Sequence, residues 1–232
     1  VLKTALAPIP YLELNMPEAK NAHYPSVLDI MQDGPIIPVI IIEQLEQAVP
    51  LAKALVAGGV RVLEVTLRTP VALESIYRIS QEVPEAIVGA GTVVRAQQMQ
   101  DVAKAGAKFA VSPGFTSALS RAAQDQHLPL LPGVATPSEM ILAMEHGHEA
   151  LKFFPAEENG GIPALKALHS PFPNVRFCPT GGIREHNAKD YLALPNVVCI
   201  GSSWLSPANL IKTADWAGIT LNAQQILGQL RL

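Results

Sequence analysis

Cysteine is scarce in this sequence: Cys178 and Cys199 are the only two among 232 residues, and both lie in apolar runs. So few thiols argue against a disulfide framework and read as reduced core residues of a cytoplasmic protein. Charge is also sparse, at 16% of residues with a formal net charge of −3, and there is no basic tract. Nucleic acid is therefore not an expected partner. No apolar run is long enough to span a bilayer, and the opening residues lack the basic stretch and apolar core of a secretory signal, so no membrane partner is expected. His146 and His148 are close in sequence but fall where a helix passes into a strand, and no Cys/His cluster has zinc spacing, so no metal site is expected. Gly89-Ala90-Gly91 lacks the third glycine that would complete a dinucleotide-binding fingerprint.

What the chain does have is apolar substance, 49% of its residues, enough for one large globular domain with a substantial core. Residues 1–25 hold four prolines and no clear periodicity and read as an irregular extension, which leaves the domain over 26–232. Ser26 is a candidate N-cap for a short helix over 26–32, stopped by Gly34. From there short apolar runs alternate with helical stretches. Strands are expected over 36–42, 61–67, 86–89, 108–112, 128–131, 150–154, 175–179 and 197–200. Helices are expected over 43–57, 71–82, 96–105, 117–126, 137–146, 162–168, 185–194 and 221–230. Strict alternation argues a parallel sheet, and eight units in this length argue an α/β fold of the closed (β/α)8 TIM barrel type, with a short N-terminal helix. An open doubly wound sheet is the structural alternative. Ala57-Gly58-Gly59, Ala105-Gly106-Ala107 and His146-Gly147-His148 each end a helix with a glycine that allows a left-handed cap.

In such barrels the active site lies at the C-terminal ends of the strands, which makes polar residues there the candidates. Val62-Leu63-Glu64-Val65-Thr66-Leu67-Arg68 alternates along its whole length. Leu63, Val65 and Leu67 form one apolar face, while Glu64, Thr66 and Arg68 point into the barrel. Along an ideal strand Glu64 and Arg68 stand about 13 Å apart, so they serve different parts of a ligand, with Arg68 nearer the mouth. A structural ion-pair network is the alternative. In Glu149-Ala150-Leu151-Lys152-Phe153-Phe154-Pro155, Lys152 and Phe154 share one face and Leu151 and Phe153 the other. Burial disfavours the charged form of an ammonium, and a neutral amine is a nucleophile suited to Schiff-base chemistry on a ketone. Taken alone, that run is better explained by a lysine stem packed along apolar surface with its head in water. The barrel register turns Lys152 inward toward Glu64, and a buried lysine beside a carboxylate is an arrangement for carbonyl chemistry with proton transfer.

Other strand ends add to the picture. Gly89-Ala90-Gly91-Thr92 has small residues that admit a ligand to the backbone, and Thr92 offers either a ligand hydroxyl or an N-cap. Ser112-Pro113-Gly114-Phe115 is a rigid turn. Thr136 and Glu139 fit a capping box with Pro137 at the first helical position. The last two strands end in Thr180-Gly181-Gly182-Ile183 and Gly201-Ser202-Ser203-Trp204, glycine-rich loops at the usual phosphate position of this architecture.

Six segments in order, Val62 to Thr69, Gly89 to Thr92, Ser112 to Gly114, Lys152-Phe153-Phe154-Pro155-Ala156-Glu157, Arg176 to Gly182 and Gly201 to Trp204, resemble the bacterial 2-keto-3-deoxy-6-phosphogluconate (KDPG) and 4-hydroxy-2-oxoglutarate (KHG) aldolase family. The resemblance extends from about Ile36 to the C-terminus. It implies a class I aldolase that uses no metal or other cofactor, acts on a small-molecule 2-keto acid, and is typically a homotrimer. It also implies Lys152 as the Schiff-base lysine and Glu64 as the general acid/base. Arg68 and Thr92 would hold the pyruvate carboxylate, Phe154 would form the pocket wall, and Pro113 would line the site. Gly181, Gly182 and Ser203 would take the substrate phosphate, with Thr180 beside the bound substrate. Ser202 stands where close relatives are expected to carry glycine, and a side chain there would crowd the phosphate. Two other classes compete: a phosphosugar isomerase or epimerase on the same barrel, and a non-catalytic ligand-binding barrel. Neither needs a buried lysine facing a glutamate.

Overall fold

Ser26 opens the described part of the chain, residues 26–230 of a computed structural model; the extension expected over 1–25 and the final residues 231–232 lie outside the described residues. Ser26 caps helix α1 (Val27–Gln32) in the expected way, with a reciprocal capping box to Asp29. There follow β1 (Ile36–Ile40), a short 3-10 turn (Leu45–Gln47), α2 (Ala48–Ala57), β2 (Val62–Thr66), α3 (Ala72–Glu82), β3 (Ile87–Gly91), α4 (Ala96–Lys104) and β4 (Ala110–Val111). Next come α5 (Ser117–Asp125), β5 (Leu130–Leu131), β6 (Gly133–Val134), α6 (Pro137–Glu145), β7 (Ala150–Phe153), α7 (Gly161–His169) and β8 (Arg176–Pro179). The chain ends with α8 (Glu185–Leu192), β9 (Ile200–Ser202), α9 (Ala208–Lys212) and α10 (Trp216–Leu230).

Every strand pairing is parallel. The order β5-β4-β3-β2-β1-β9 forms one run and β6-β7-β8 a second. β5 and β6 are two halves of the fifth barrel strand, interrupted at Pro132, which has no N–H to give to a ladder. Its carbonyl still accepts from the Lys152 N–H at 2.8 Å, so the second run stays attached. On the other side the runs meet through bridges between Phe177 and Val197 and between Thr180 and Gly201. The curled parallel sheet thus has the expected TIM-barrel form.

Strand alternation divides the core into two clusters. Ile36, Ile40, Leu63, Val65, Leu151, Phe153, Phe177 and Ile200 pack outward with helix residues such as Leu51, Leu55, Ile76 and Leu165. Their strand neighbours Ile37, Val62, Val111, Leu131, Ala150, Cys178 and Cys199 form a separate inner cluster with Phe109. Ile30 and Met31 of α1 belong to that inner cluster, so α1 plugs the N-terminal end of the barrel. Both cysteines are free and buried there.

Some boundaries differ from expectation. The first strand ends at Ile40 rather than Ile42, because the Thr66 hydroxyl takes the Ile40 carbonyl at 2.9 Å and the Thr69 hydroxyl takes that of Ile42 at 2.6 Å. The last helix begins at Trp216, five positions before the expected 221; the Asp215 carboxylate accepts from the Gly218 N–H at 2.9 Å and caps it. That helix packs on α2 at Gly58, where a Cβ would meet the Ala223 Cβ at 2.5 Å. None of the described helices is long and apolar enough to cross a membrane.

Candidate active site

Inner-cluster residues fix the phase of the two strands that matter. Val62 faces inward, so Glu64 does too; Ala150 faces inward, so Lys152 follows. The two meet inside the barrel, with Lys152 Nζ donating to Glu64 Oε1 at 3.3 Å. Lys152 is 5% exposed and Glu64 3%. An ion pair this deep carries a desolvation cost that burial of apolar side chains would not. The lysine stands 5.4 Å from the Phe154 ring centroid, within cation–π range, so its ammonium has a carboxylate on one side and an aromatic face on another.

Gly91 makes room for this arrangement. A Cβ there would lie 2.2 Å from Glu64 Oε1, and one at Gly89 would lie 2.4 Å from the Phe109 ring. The small residues of β3 were expected to admit a ligand to the backbone. Their space is instead taken from within, by the Glu64 carboxylate and the Phe109 ring.

At the mouth Arg68 is exposed, and its Nε donates to Thr92 Oγ1 at 3.1 Å. The two residues expected to act together are therefore together. Their placement differs from the expected strand phase: β2 ends at Thr66, and Arg68 sits in a turn whose N–H reaches back to the Thr66 carbonyl at 2.8 Å. Thr92 has φ of 60°, a conformation rare for a β-branched side chain and often kept at functional sites. It is not an N-cap; α4 starts after Arg95, and Gln98 Oε1 takes the Val94 and Arg95 N–H groups. Pro113 lies against β6, where a Cβ on Gly133 would come within 2.3 Å of its carbonyl. The Thr136–Glu139 capping box forms as expected.

The rim after β8 and β9 is tightly built. Thr180 is buried, with its hydroxyl where a Cβ on Gly201 would fall 2.2 Å away. Gly181 and Gly182 have φ of 106° and 72°. Among the described residues none accepts a hydrogen bond from the N–H of Gly181, Gly182 or Ile183. Three donors without partners at the head of α8 can hold an anion. Ser203 is exposed beside them. The Ser202 hydroxyl donates to the Ile183 carbonyl at 3.0 Å, so it links the two loops. An open groove lined by Arg184, Glu185, His186 and Trp204 continues from this rim.

Sequence reasoning missed one polar contact here. The buried Tyr191 hydroxyl of α8 donates to Glu157 Oε1 beneath Gly182. The signal was a tyrosine on the apolar face of a helix, since a buried phenol needs an acceptor. His146 and His148 lie elsewhere, bonded to the Ser117 and Ser120 hydroxyls at 2.9 and 2.8 Å. Among the described residues no group of three or more His, Cys, Asp or Glu side chains is placed to hold a metal ion.

Comparison with known proteins bears on this arrangement. The protein family described as "Aldolase: KDPG and KHG aldolase" matches residues 27–221. The KHG/KDPG aldolase of Escherichia coli (strain K12) is 56% identical over 200 residues, covering 86% of this chain and 94% of that protein. A Legionella pneumophila KDPG aldolase, solved with pyruvate captured at low pH as a covalent carbinolamine intermediate, superposes with a TM-score of 0.84 at 48% identity, covering 86% of this chain and 97% of that one. The KDPG aldolase of Zymomonas mobilis ZM4, solved with 3-phosphoglycerate, gives 0.83 at 48% identity, covering 88% and 96%. With the inward lysine–glutamate pair on the barrel and identity above half over most of its length, the chain belongs to the KDPG and KHG aldolase family.

Proposed function

We propose that this protein is a metal-independent class I aldolase that cleaves KDPG to pyruvate and glyceraldehyde 3-phosphate, KHG to pyruvate and glyoxylate, or both. The observation that carries it is the buried Lys152–Glu64 pair at 3.3 Å, inside the barrel and below its mouth. Glu64 takes a proton from the Lys152 ammonium, and the neutral amine attacks the C2 ketone of the substrate. Glu64 returns that proton to the carbinolamine hydroxyl, which leaves as water, and the cationic nitrogen of the resulting iminium draws electrons from the C3–C4 bond. Glu64, directly or through one water, removes the C4 hydroxyl proton. The C3–C4 bond breaks, its electron pair passes to the iminium, and the aldehyde leaves. The resulting enamine takes a proton at C3, and water hydrolyses the iminium to free pyruvate and Lys152.

The remaining residues receive roles that match their places. Arg68, bonded to Thr92, presents its planar guanidinium to the substrate carboxylate and sets the ketone against the lysine. Phe154 walls the pocket beside Nζ, and Pro113 lines it. The unpartnered N–H groups from Gly181 to Ile183, with Ser203, receive the phosphate, and Thr180 lies beside the bound substrate. That KDPG and KHG differ at this end makes the rim the element that separates the two substrates. The exposed Ile141, Leu142 and Met144 of α6 support assembly as a homotrimer, with a mass near three times 24.8 kDa by light scattering. Residence in the cytoplasm accords with two unpaired thiols.

Borohydride reduction with pyruvate tests the covalent step. Peptide mass analysis is expected to find the added pyruvyl group on Lys152; an adduct elsewhere, or none, overturns the mechanism. Glu64→Gln is expected to trap pyruvate slowly and to lose turnover, and unchanged turnover would remove Glu64 from its role. A pyruvate-release assay on KDPG and KHG ranks the substrates.

A further inference from the structure

The Glu157–Tyr191 contact takes no part in the steps above, yet it lies directly under the rim. Tyr191 is fully buried, and its hydroxyl donates to Glu157 Oε1 across 34 positions of sequence. Burial raises the phenol above its ordinary pKa, and the adjoining carboxylate adds to that, so Tyr191 is a permanent donor. The Glu157 stem runs under Gly182, where a Cβ would come within 2.3 Å of Glu157 Cγ. A Cβ at Gly161 would come within 2.9 Å of the Tyr191 hydroxyl, so two glycines frame the pair. The same Glu157 gives its N–H to the Gly181 carbonyl at 3.2 Å, and Asn187 Nδ2 reaches the Gly182 carbonyl at 3.4 Å. Both carbonyls are thus held while the loop N–H groups stay without protein acceptors.

Glu157 is exposed, but its stem lies against Gly182, so a carboxylate free to swing over the loop would repel a bound phosphate at short range even through solvent. The hydrogen bond to Tyr191 prevents this by fixing Oε1 on the helix side of the loop. We propose that the Glu157–Tyr191 bond is the positioning device of the anion-binding rim: it sets the Gly181–Gly182 backbone and holds the Glu157 charge back from the substrate's phosphate. This rests on the reading of the rim as the phosphate site.

Tyr191→Phe removes the hydroxyl and little else. KM for KDPG is expected to rise roughly tenfold, the scale of one hydrogen bond to a charged group. KM for KHG and kcat on both substrates should stay within about twofold, since binding at the other end of the substrate is untouched. Borohydride trapping of pyruvate should proceed as in the wild type. Glu157→Gln keeps an acceptor for Tyr191 and removes the charge, so it should hold or lower KM for KDPG. Glu157→Ala loses the support of the loop but also the charge, so its KM for KDPG should rise less than that of Tyr191→Phe. Equal losses on KDPG and KHG, following only a fall in Tm, would mean a purely structural contact and overturn the proposal. Inorganic phosphate separates the two layers of the argument. If phosphate competes with KDPG in the wild type and its inhibition constant is unchanged in Tyr191→Phe, the rim stands and the positioning role falls. If phosphate does not compete and the wild type handles KDPG no better than KHG, the phosphate reading falls and takes the positioning role with it.

Discussion

Val62 and Glu64, Ala150 and Lys152, Cys178 and Thr180 are three pairs on the same inner face of the barrel, each separated by two residues, or about 6.6 Å along a strand. The lower members lie in an apolar cluster sealed by Ile30 and Met31 of α1. The upper members supply an ammonium, a carboxylate and a hydroxyl, and they lie toward the mouth where Arg68 and Thr92 meet. Phase is identical in the two layers, so inward direction alone does not make a reactive residue. Under the proposed mechanism height does: a charge in the lower layer would be desolvated with nothing to react with, whereas in the upper layer the same desolvation would be coupled to a substrate's carbonyl. On that proposal the floor serves stability and the layer above it serves chemistry.

The strongest way to break that comparison is to write the floor's chemistry into the upper layer. Lys152→Met should reduce turnover roughly a thousandfold or more, because Lys152 is the one buried lysine among the described residues and the one paired with Glu64. It should also lower stability by about 3–5 kcal/mol, as Glu64 loses its buried partner. Adding Glu64→Met should restore that stability or exceed the wild type by about 1–4 kcal/mol, with activity still absent. Urea denaturation of the three proteins checks this. A double variant less stable than the wild type would make the pair a structural element and end the distinction between layers.

The converse substitution goes into the floor. Phe109→Ala removes a fully buried ring that packs against Gly89, and should cost about 3–5 kcal/mol of stability. The folded fraction should still trap pyruvate on Lys152 at the wild-type rate. A trapping rate that fell in step with stability would show that the floor sets the geometry above it.

Gly91→Ala acts between the layers. Its Cβ would demand the place of Glu64 Oε1, and the flexible carboxylate would swing away from Lys152. Stability should fall as the buried pair is pulled apart, by no more than the loss in Lys152→Met, while turnover should fall roughly a hundredfold, as expected for a displacement of about 1 Å at a reacting group. Normal turnover would show that the carboxylate has a second productive position.

How far these layers were legible in the sequence depends on the range of the interactions. The inward phase of Glu64 and Lys152 follows from alternation with Leu63, Val65, Leu151 and Phe153, a local pattern that packing against helices enforces. The glycines of the rim are legible for a similar reason, since Gly181 and Gly182 occupy backbone conformations that other residues adopt at a cost. Arg68 is a partial success: its partner Thr92 was foreseen, but the turn after Thr66 was not, because nothing in Leu67-Arg68 breaks the apolar alternation. Gly91 reads as room for a ligand, because local sequence cannot tell a ligand's approach from that of a side chain on the neighbouring strand, here Glu64 of β2. Glu157 and Tyr191 are 34 positions apart, and only the closed barrel brings them together.

The smallest expected effect concerns the plug at the base of the floor. Ser26 Oγ accepts from the Asp29 N–H at 3.2 Å, and Asp29 in return accepts from the Ser26 hydroxyl at 2.7 Å and from its N–H at 2.9 Å. Ser26→Ala should lower Tm by about 2–4 °C through loss of the cap on α1. Turnover should not change, since α1 touches the lower layer alone. The Ser26 hydroxyl, and after it the Ser26 N–H, holds the Asp29 carboxyl below its ordinary value of 3.8. A carboxyl depressed in the folded state stabilises above the unfolded pKa and loses that contribution as pH falls through the folded one. The Tm gap between Ser26→Ala and the wild type should therefore be full near neutrality and close below about pH 3.8. A gap that persisted undiminished in acid would assign the cap to the hydroxyl–backbone bond alone, and a loss of turnover at neutral pH would mean that the plug reaches the chemistry through the floor.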